Sequence, residues 1–154
     1  MEVIIISIVL GIIIGTSFVF DLFYGKIPNK IIVVGFLLWF PCVYLDGGFY
    51  RVITSFGSML LIGSILFLIY LFRGIGAGDV KLMALIVSFL SFNDGVKLII
   101  LIFFVGAFFG VIKVLMLLVY RVLDKETVFD GKSIKFTGPI LTGYLLMLLS
   151  NGGF

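Results

Sequence analysis

Asp21 and Asp79 are the side chains of this sequence best placed to do chemistry. Each closes or opens an apolar run, where a carboxylate is out of character. Two carboxylates that share a site cannot both ionise cheaply, so they hold one proton between them and titrate as a unit. One can then take a proton from water while the other gives a proton to a carbonyl oxygen. That is peptide hydrolysis of the aspartic-protease type. Other routes lack their parts. The chain has no histidine, which excludes histidine zinc sites and Ser-His or Cys-His catalysis. It has one cysteine, Cys42, so neither an internal disulfide nor a cysteine metal cluster forms. Cys42 lies in an apolar run and reads as a small filler. No GxSxG element is present. No metal and no cofactor are expected.

Asp79 ends the stretch Gly74-Ile75-Gly76-Ala77-Gly78-Asp79. The residues before it, Val52 to Phe72, and after it, Val80 to Phe92, are apolar almost throughout. A charge between two such runs costs ~2.5–3.5 kcal/mol on insertion scales and marks a functional site by default. Glycines at alternate positions remove side-chain bulk and permit unusual backbone angles. Irregular backbone at membrane depth persists only where it is buried in protein or lines a wet cavity. Gly76 and Gly78 would let a polypeptide substrate approach beside the acid. The plainer reading is a glycine turn whose aspartate caps the next helix.

The elements that hold these acids follow from composition. Of 154 residues, 62% are hydrophobic and 12% charged, against about a quarter charged in soluble domains. The chain is expected to be an all-α, polytopic membrane protein, a single domain over 1–154 with about six transmembrane helices and lipid around it. The net charge of +3 is no nucleic-acid signal, because the basic residues sit in short loops. Val3 to Phe20 spans roughly 27 Å as a helix, and Glu2 replaces the basic start of a signal peptide. Gly25 and Pro28 turn the chain, Ile31 to Leu45 follows, and Asp46-Gly47-Gly48 turns it again. Val52 to Phe72 is the third span. The fourth opens on Asp79 and reaches only about Phe92, roughly 20 Å; a start inside a wet recess explains that shortness. Asn93-Asp94-Gly95 is expected to be a turn. Val96 to Tyr120 is the fifth span, with Gly106 and Gly110 spaced for close helix approach. Arg121 to Lys135 is a polar loop, and Gly138-Pro139 starts the last run. Tyr24, Trp39, Tyr44, Tyr50 and Tyr120 lie near span ends and read as interfacial belt residues.

Lys26 and Lys30 lie in the first loop, Arg73 and Lys81 flank the third, and Arg121, Lys125, Lys132 and Lys135 lie in the fifth, while the even loops carry Arg51 and the flanking Lys97. By the positive-inside rule the odd loops are cytoplasmic and both termini face outward. Asp21 and Asp79 then stand near the same, cytoplasmic, face of a plasma membrane.

Gly76-Ala77-Gly78-Asp79-Val80-Lys81-Leu82 resembles the GxGDVKL motif of the type IV prepilin peptidase family. Asp21 followed by Lys26-Ile27-Pro28-Asn29 is similar to that family's first aspartate motif, and Gly138-Pro139-Ile140-Leu141 to its later GPFL-like element, with Ile140 at the usual aromatic position. The resemblance runs in order along nearly the whole chain. It implies a membrane aspartic endopeptidase that removes short basic leaders from prepilins and pseudopilins on the cytoplasmic side. By motif position Asp21 and Asp79 are its catalytic pair, and Gly76 and Gly78 shape the approach. Larger bacterial members of the family add an N-terminal region with paired cysteines, associated with N-methylation. Here the first span begins almost at residue 1 and Cys42 stands alone, so the short, peptidase-only form is expected.

Two other readings compete. A small ion- or proton-coupled transporter would use the paired carboxylates as its ion site, but its inverted repeats have no counterpart in this sequence. Another GxGD intramembrane protease is opposed by the Ile27-Pro28-Asn29 turn and the small size. Lys81 is either a contact for substrate or a positive-inside anchor.

Overall fold

In lipid every backbone N–H and C=O must be paired internally, so long runs of Ile, Val, Leu and Phe are driven into helix. A computed structural model describes residues 2–72, 74–122 and 136–151. Arg73 and, in the expected fifth loop, Lys125, Lys132 and Lys135 lie outside the described residues. The elements are α1 (Glu2–Tyr24), α2 (Asn29–Leu71), α3 (Ala77–Phe89), α4 (Phe92–Val122) and α5 (Thr137–Asn151), with no strand among the described residues. Stretches of α1, α2 and α4 are long and apolar enough to cross a membrane, and α5 is a shorter apolar helix. Ile8, Ile12, Leu37, Leu61 and Phe104 are among many large apolar side chains left on the outside. An apolar exterior on that scale suits lipid.

Each helix ends for a local reason. Gly25, at φ 64°, closes α1, with its N–H donating to the Asp21 carbonyl at 2.9 Å. Pro28, extended at φ −65° and ψ 132°, precedes α2. Inside α2, Gly47 and Gly48 leave helical geometry, and Gly48 takes φ 65° and ψ −160°. That region belongs essentially to glycine.

The break folds α2 back on itself. Trp39 Nε1 donates to Ser55 Oγ at 3.0 Å although the two are 16 positions apart, a separation of about 24 Å in a straight helix. The expected spans over 31–45 and 52–72 are therefore the two arms of α2. Arg51 Nε meets Asp46 Oδ2 at 3.2 Å across the bend.

Helix α3, 13 residues long, packs mainly against α2 and is the most enclosed element, with Leu82, Met83, Leu85, Ile86 and Val87 buried. Gly35 admits it: a Cβ there would lie 2.5 Å from Leu85 Cδ2. The carbonyl of Ser88, in the last turn of α3, accepts from Trp39 Nε1 at 2.8 Å and also from Ser55 Oγ. A helix-end carbonyl that has no intrahelical partner is thus satisfied by both arms of α2. Trp39 is 5% exposed, so it is a buried joint rather than the interfacial belt residue the sequence suggests. Tyr24, Tyr44 and Tyr50 are exposed.

The expected turn at Asn93-Asp94-Gly95 is instead the first turn of α4, which starts at Phe92. Ser91 Oγ donates to Asp94 Oδ2 at 2.5 Å and accepts the Asp94 N–H at 3.2 Å. The Ser91 hydroxyl thus caps the Asp94 N–H at the start of the helix, and the Asp94 carboxylate holds that hydroxyl in place. Finally α5 lies against α4 and α1. Gly143 faces Ile102, and Tyr144 Oη donates to the Ser7 carbonyl at 2.6 Å.

The bend at Gly48 gives the first prediction. Gly48→Ala is expected to destabilise the protein by about 1–3 kcal/mol, because alanine is strained at that backbone geometry. Gly57→Ala, at a helical position with nothing within 4 Å of the added Cβ, is expected to be neutral or slightly stabilising. Thermal unfolding in detergent compares the two, and an equal midpoint for both variants contradicts the strain at Gly48.

Candidate active site

Asp21 falls in the last turn of α1 because that helix runs on to Tyr24, and the residue is only 8% exposed. Asp79 falls in the first turn of α3, three residues after the N-cap Gly76. Gly76 has no side chain with which to cap, and the Asp79 carboxylate accepts its backbone N–H. Asp79 is therefore a helix cap as well as a recess-lining acid, and the two sequence readings of it are compatible.

Both acids line one open recess of about 830 Å³, formed by the end of α1, the 25–29 turn and the start of α3. The structure brings together every site residue singled out in the sequence: Asp21, Gly76, Gly78, Asp79 and Lys81 all border it. Asp79 borders it ahead of the apolar stretch of α3 that begins at Val80 and outside the helices long enough to cross. Burial first, and then the charge of Asp21, push the Asp79 carboxyl up from 3.8 to about 7, against the opposing pull of the Gly76 N–H. The two acids are thus close enough to feel one another.

The glycines have steric reasons of their own. A Cβ on Gly76 would lie 2.9 Å from Asp79 Oδ2, and one on Gly78 would lie 3.3 Å from Ile27 Cβ. Gly76 leaves room for the carboxylate, and Gly78 lets the start of α3 seat against the 25–29 turn. Lys81 is exposed at the rim, where Nζ donates to Asn29 Oδ1 at 3.2 Å. It ties α3 to the start of α2 while keeping its charge beside the acids.

One contact was not anticipated from sequence. Thr137, the first residue of α5, donates its hydroxyl to Asp21 Oδ2 at 2.5 Å. The available signal was slight: a hydroxyl residue immediately before Gly138-Pro139. Among the described residues no cluster of three or more acids, histidines or cysteines forms around the pair. What the arrangement offers is one proton-bearing carboxyl and one neighbouring carboxylate facing a water-accessible space, next to backbone free of side chains.

A family model described as the type IV leader peptidase family matches residues 5–115. The matched stretch includes Asp21, Asp79 and the glycines between them and ends before α5. No curated protein and no solved structure matches the chain.

The proton on Asp79 has a consequence for stability. Below the ordinary aspartate value of 3.8 the folded and unfolded chains both carry it. Between 3.8 and about 7 only the folded chain does. The stabilisation is therefore complete at low pH and is lost as pH rises through about 7. Unfolding midpoints of the wild type are expected to fall over that interval by more than those of Asp79→Asn, which has no proton to lose. Identical pH dependence in the two proteins contradicts the raised value.

Proposed function

The chain belongs to the type IV leader peptidase family, and from that footing we propose that it is an aspartic endopeptidase of the membrane that uses Asp21 and Asp79 to hydrolyse a prepilin or pseudopilin leader. Membership makes it a peptidase of the leader-cleaving type, and its apolar helices suit a membrane protein. The observation that carries the aspartic mechanism is the shared recess. Two acids from different helices border it, and one of them holds its proton to about pH 7.

The reaction needs one proton on the pair. Asp79 holds that proton up to about pH 7 and is the acid that protonates the scissile carbonyl, while the other carboxylate accepts a proton from water. Gly76 and Gly78 keep the substrate backbone's approach clear, and Lys81 contacts the substrate at the rim. No cofactor enters the scheme.

The protein is proposed to be multi-pass in a plasma membrane, with six crossings when both arms of α2, the apolar stretch of α3 that begins after Asp79, and α5 are counted. Lys26, Lys30 and Lys81 hold the recess at the cytoplasmic face, and both termini lie outside. The partners are the prepilin-like substrate and membrane lipid, with no nucleic acid.

Purified protein mixed with a prepilin-like substrate bearing a basic leader tests this. Wild type is expected to shorten the substrate, and Asp21→Ala, Asp79→Ala and the two Asn variants to lose at least about 10²–10⁴-fold in rate. Processing by all five proteins at one rate ends the proposal. The rate is further expected to decline as pH rises through about 7, where Asp79 gives up its proton; a flat profile from pH 5 to 9 is incompatible with a shared proton.

A further inference from the structure

Thr137 stands 116 positions from Asp21 in the chain, yet its hydroxyl lies 2.5 Å from Asp21 Oδ2. The two residues are 2% and 8% exposed. A short hydroxyl-to-carboxylate bond away from water belongs to the strong, charge-assisted class, and the hydroxyl that makes it opens α5. Here it is directed at a different helix, and at one of the two acids. The matched family stretch ends at residue 115, so Thr137 is outside it although Asp21 is within it.

On the peptidase reading above, we propose that Thr137 is a positioning residue for cleavage: its hydroxyl fixes Asp21 Oδ2, so that Oδ1 is the oxygen that receives a proton from the attacking water. In that step the water oxygen bonds to the scissile carbonyl carbon, one water proton passes to Asp21, and the proton of Asp79 passes to the carbonyl oxygen. Collapse then breaks the C–N bond. Asp21 returns its proton to the leaving nitrogen, Asp79 regains one from a hydroxyl of the intermediate, and the pair ends as it began. The hydroxyl does not touch the substrate. It acts by holding one oxygen in place and by donating to the carboxylate.

The charged and titratable groups that share the recess with Asp21, among the described residues, are Asp79 and Lys81 on α3, Tyr24 at the end of α1 and Lys26 in the turn that follows. From α2 comes the neutral Asn29, and from α5 the Thr137 hydroxyl. A pH readout must therefore be taken as a comparison between variants that leave all of these in place.

The test uses the full chain in detergent, a prepilin-like substrate, and Thr137→Val beside Thr137→Ser. Valine keeps the shape without the donor, and serine keeps the donor. Thr137→Val is expected to lower kcat/KM by about tenfold to a hundredfold, the size of a lost hydrogen bond to a charged group. The acid limb of its pH–rate profile is expected to move to higher pH, because the carboxylate pair has lost a donor. Thr137→Ser is expected to stay near wild type on both measures. An unchanged rate and profile for Thr137→Val overturns the proposal. So does a slow Thr137→Val whose acid limb stays in place and which serine does not rescue, since that is the pattern of damaged packing alone. Failure of the wild type to cut any prepilin-like substrate refutes the peptidase reading itself, and with it this role for Thr137.

Discussion

Two carboxylates held in one recess repel when both are ionised, and the fold has to keep them there regardless. The cost is met by protonation: with burial and the charge of Asp21 both disfavouring the ionised form, Asp79 keeps its proton to about pH 7. One carboxyl and one carboxylate then coexist without two full charges. Everything around them serves that coexistence. Gly76 gives its N–H to Asp79, Thr137 gives its hydroxyl to Asp21, and Lys81 keeps a positive charge at the rim. Both oxygen acids thus have donors, which buried polar groups require.

Holding the pair also requires that α3 be held, since Asp79 sits in its first turn. A 13-residue helix has little stability of its own. It is fixed at one end by Gly78 seated against Ile27 and at the other by the Ser88 carbonyl bonded to Trp39 and Ser55. Both arms of α2 close on it, and Gly48 makes that closure sterically possible. On the opposite side, the chain returns through α5 and reaches α1 twice, at Asp21 through Thr137 and at Ser7 through Tyr144. The recess is therefore built from the ends of helices whose middles are bonded elsewhere.

Much of this was legible in the sequence, because acids in apolar runs and glycines beside them are rare enough to carry meaning. Asp21, Asp79 and the bend at Asp46-Gly47-Gly48 fall into that class. The failures came where one residue type serves two ends. Asn93-Asp94-Gly95 has turn chemistry, but Ser91 in front of it supplies an N-cap hydroxyl and the segment becomes helix. Trp39 has the amphipathic character of an interface residue, yet its indole N–H found two buried acceptors, from residues 16 and 49 positions on. Thr137 was invisible for the same reason. A threonine before Gly-Pro looks like a helix start, and nothing local reveals an aspartate on the first helix.

The joint at Trp39 gives the molecule an optical reporter. The sequence contains a single tryptophan, and it sits where α3 meets both arms of α2. Any loosening of α3 from its sleeve admits a different surrounding to that indole and changes the colour and intensity of its emission. The seating of the helix that carries Asp79 can therefore be followed by ultraviolet fluorescence in the unlabelled protein.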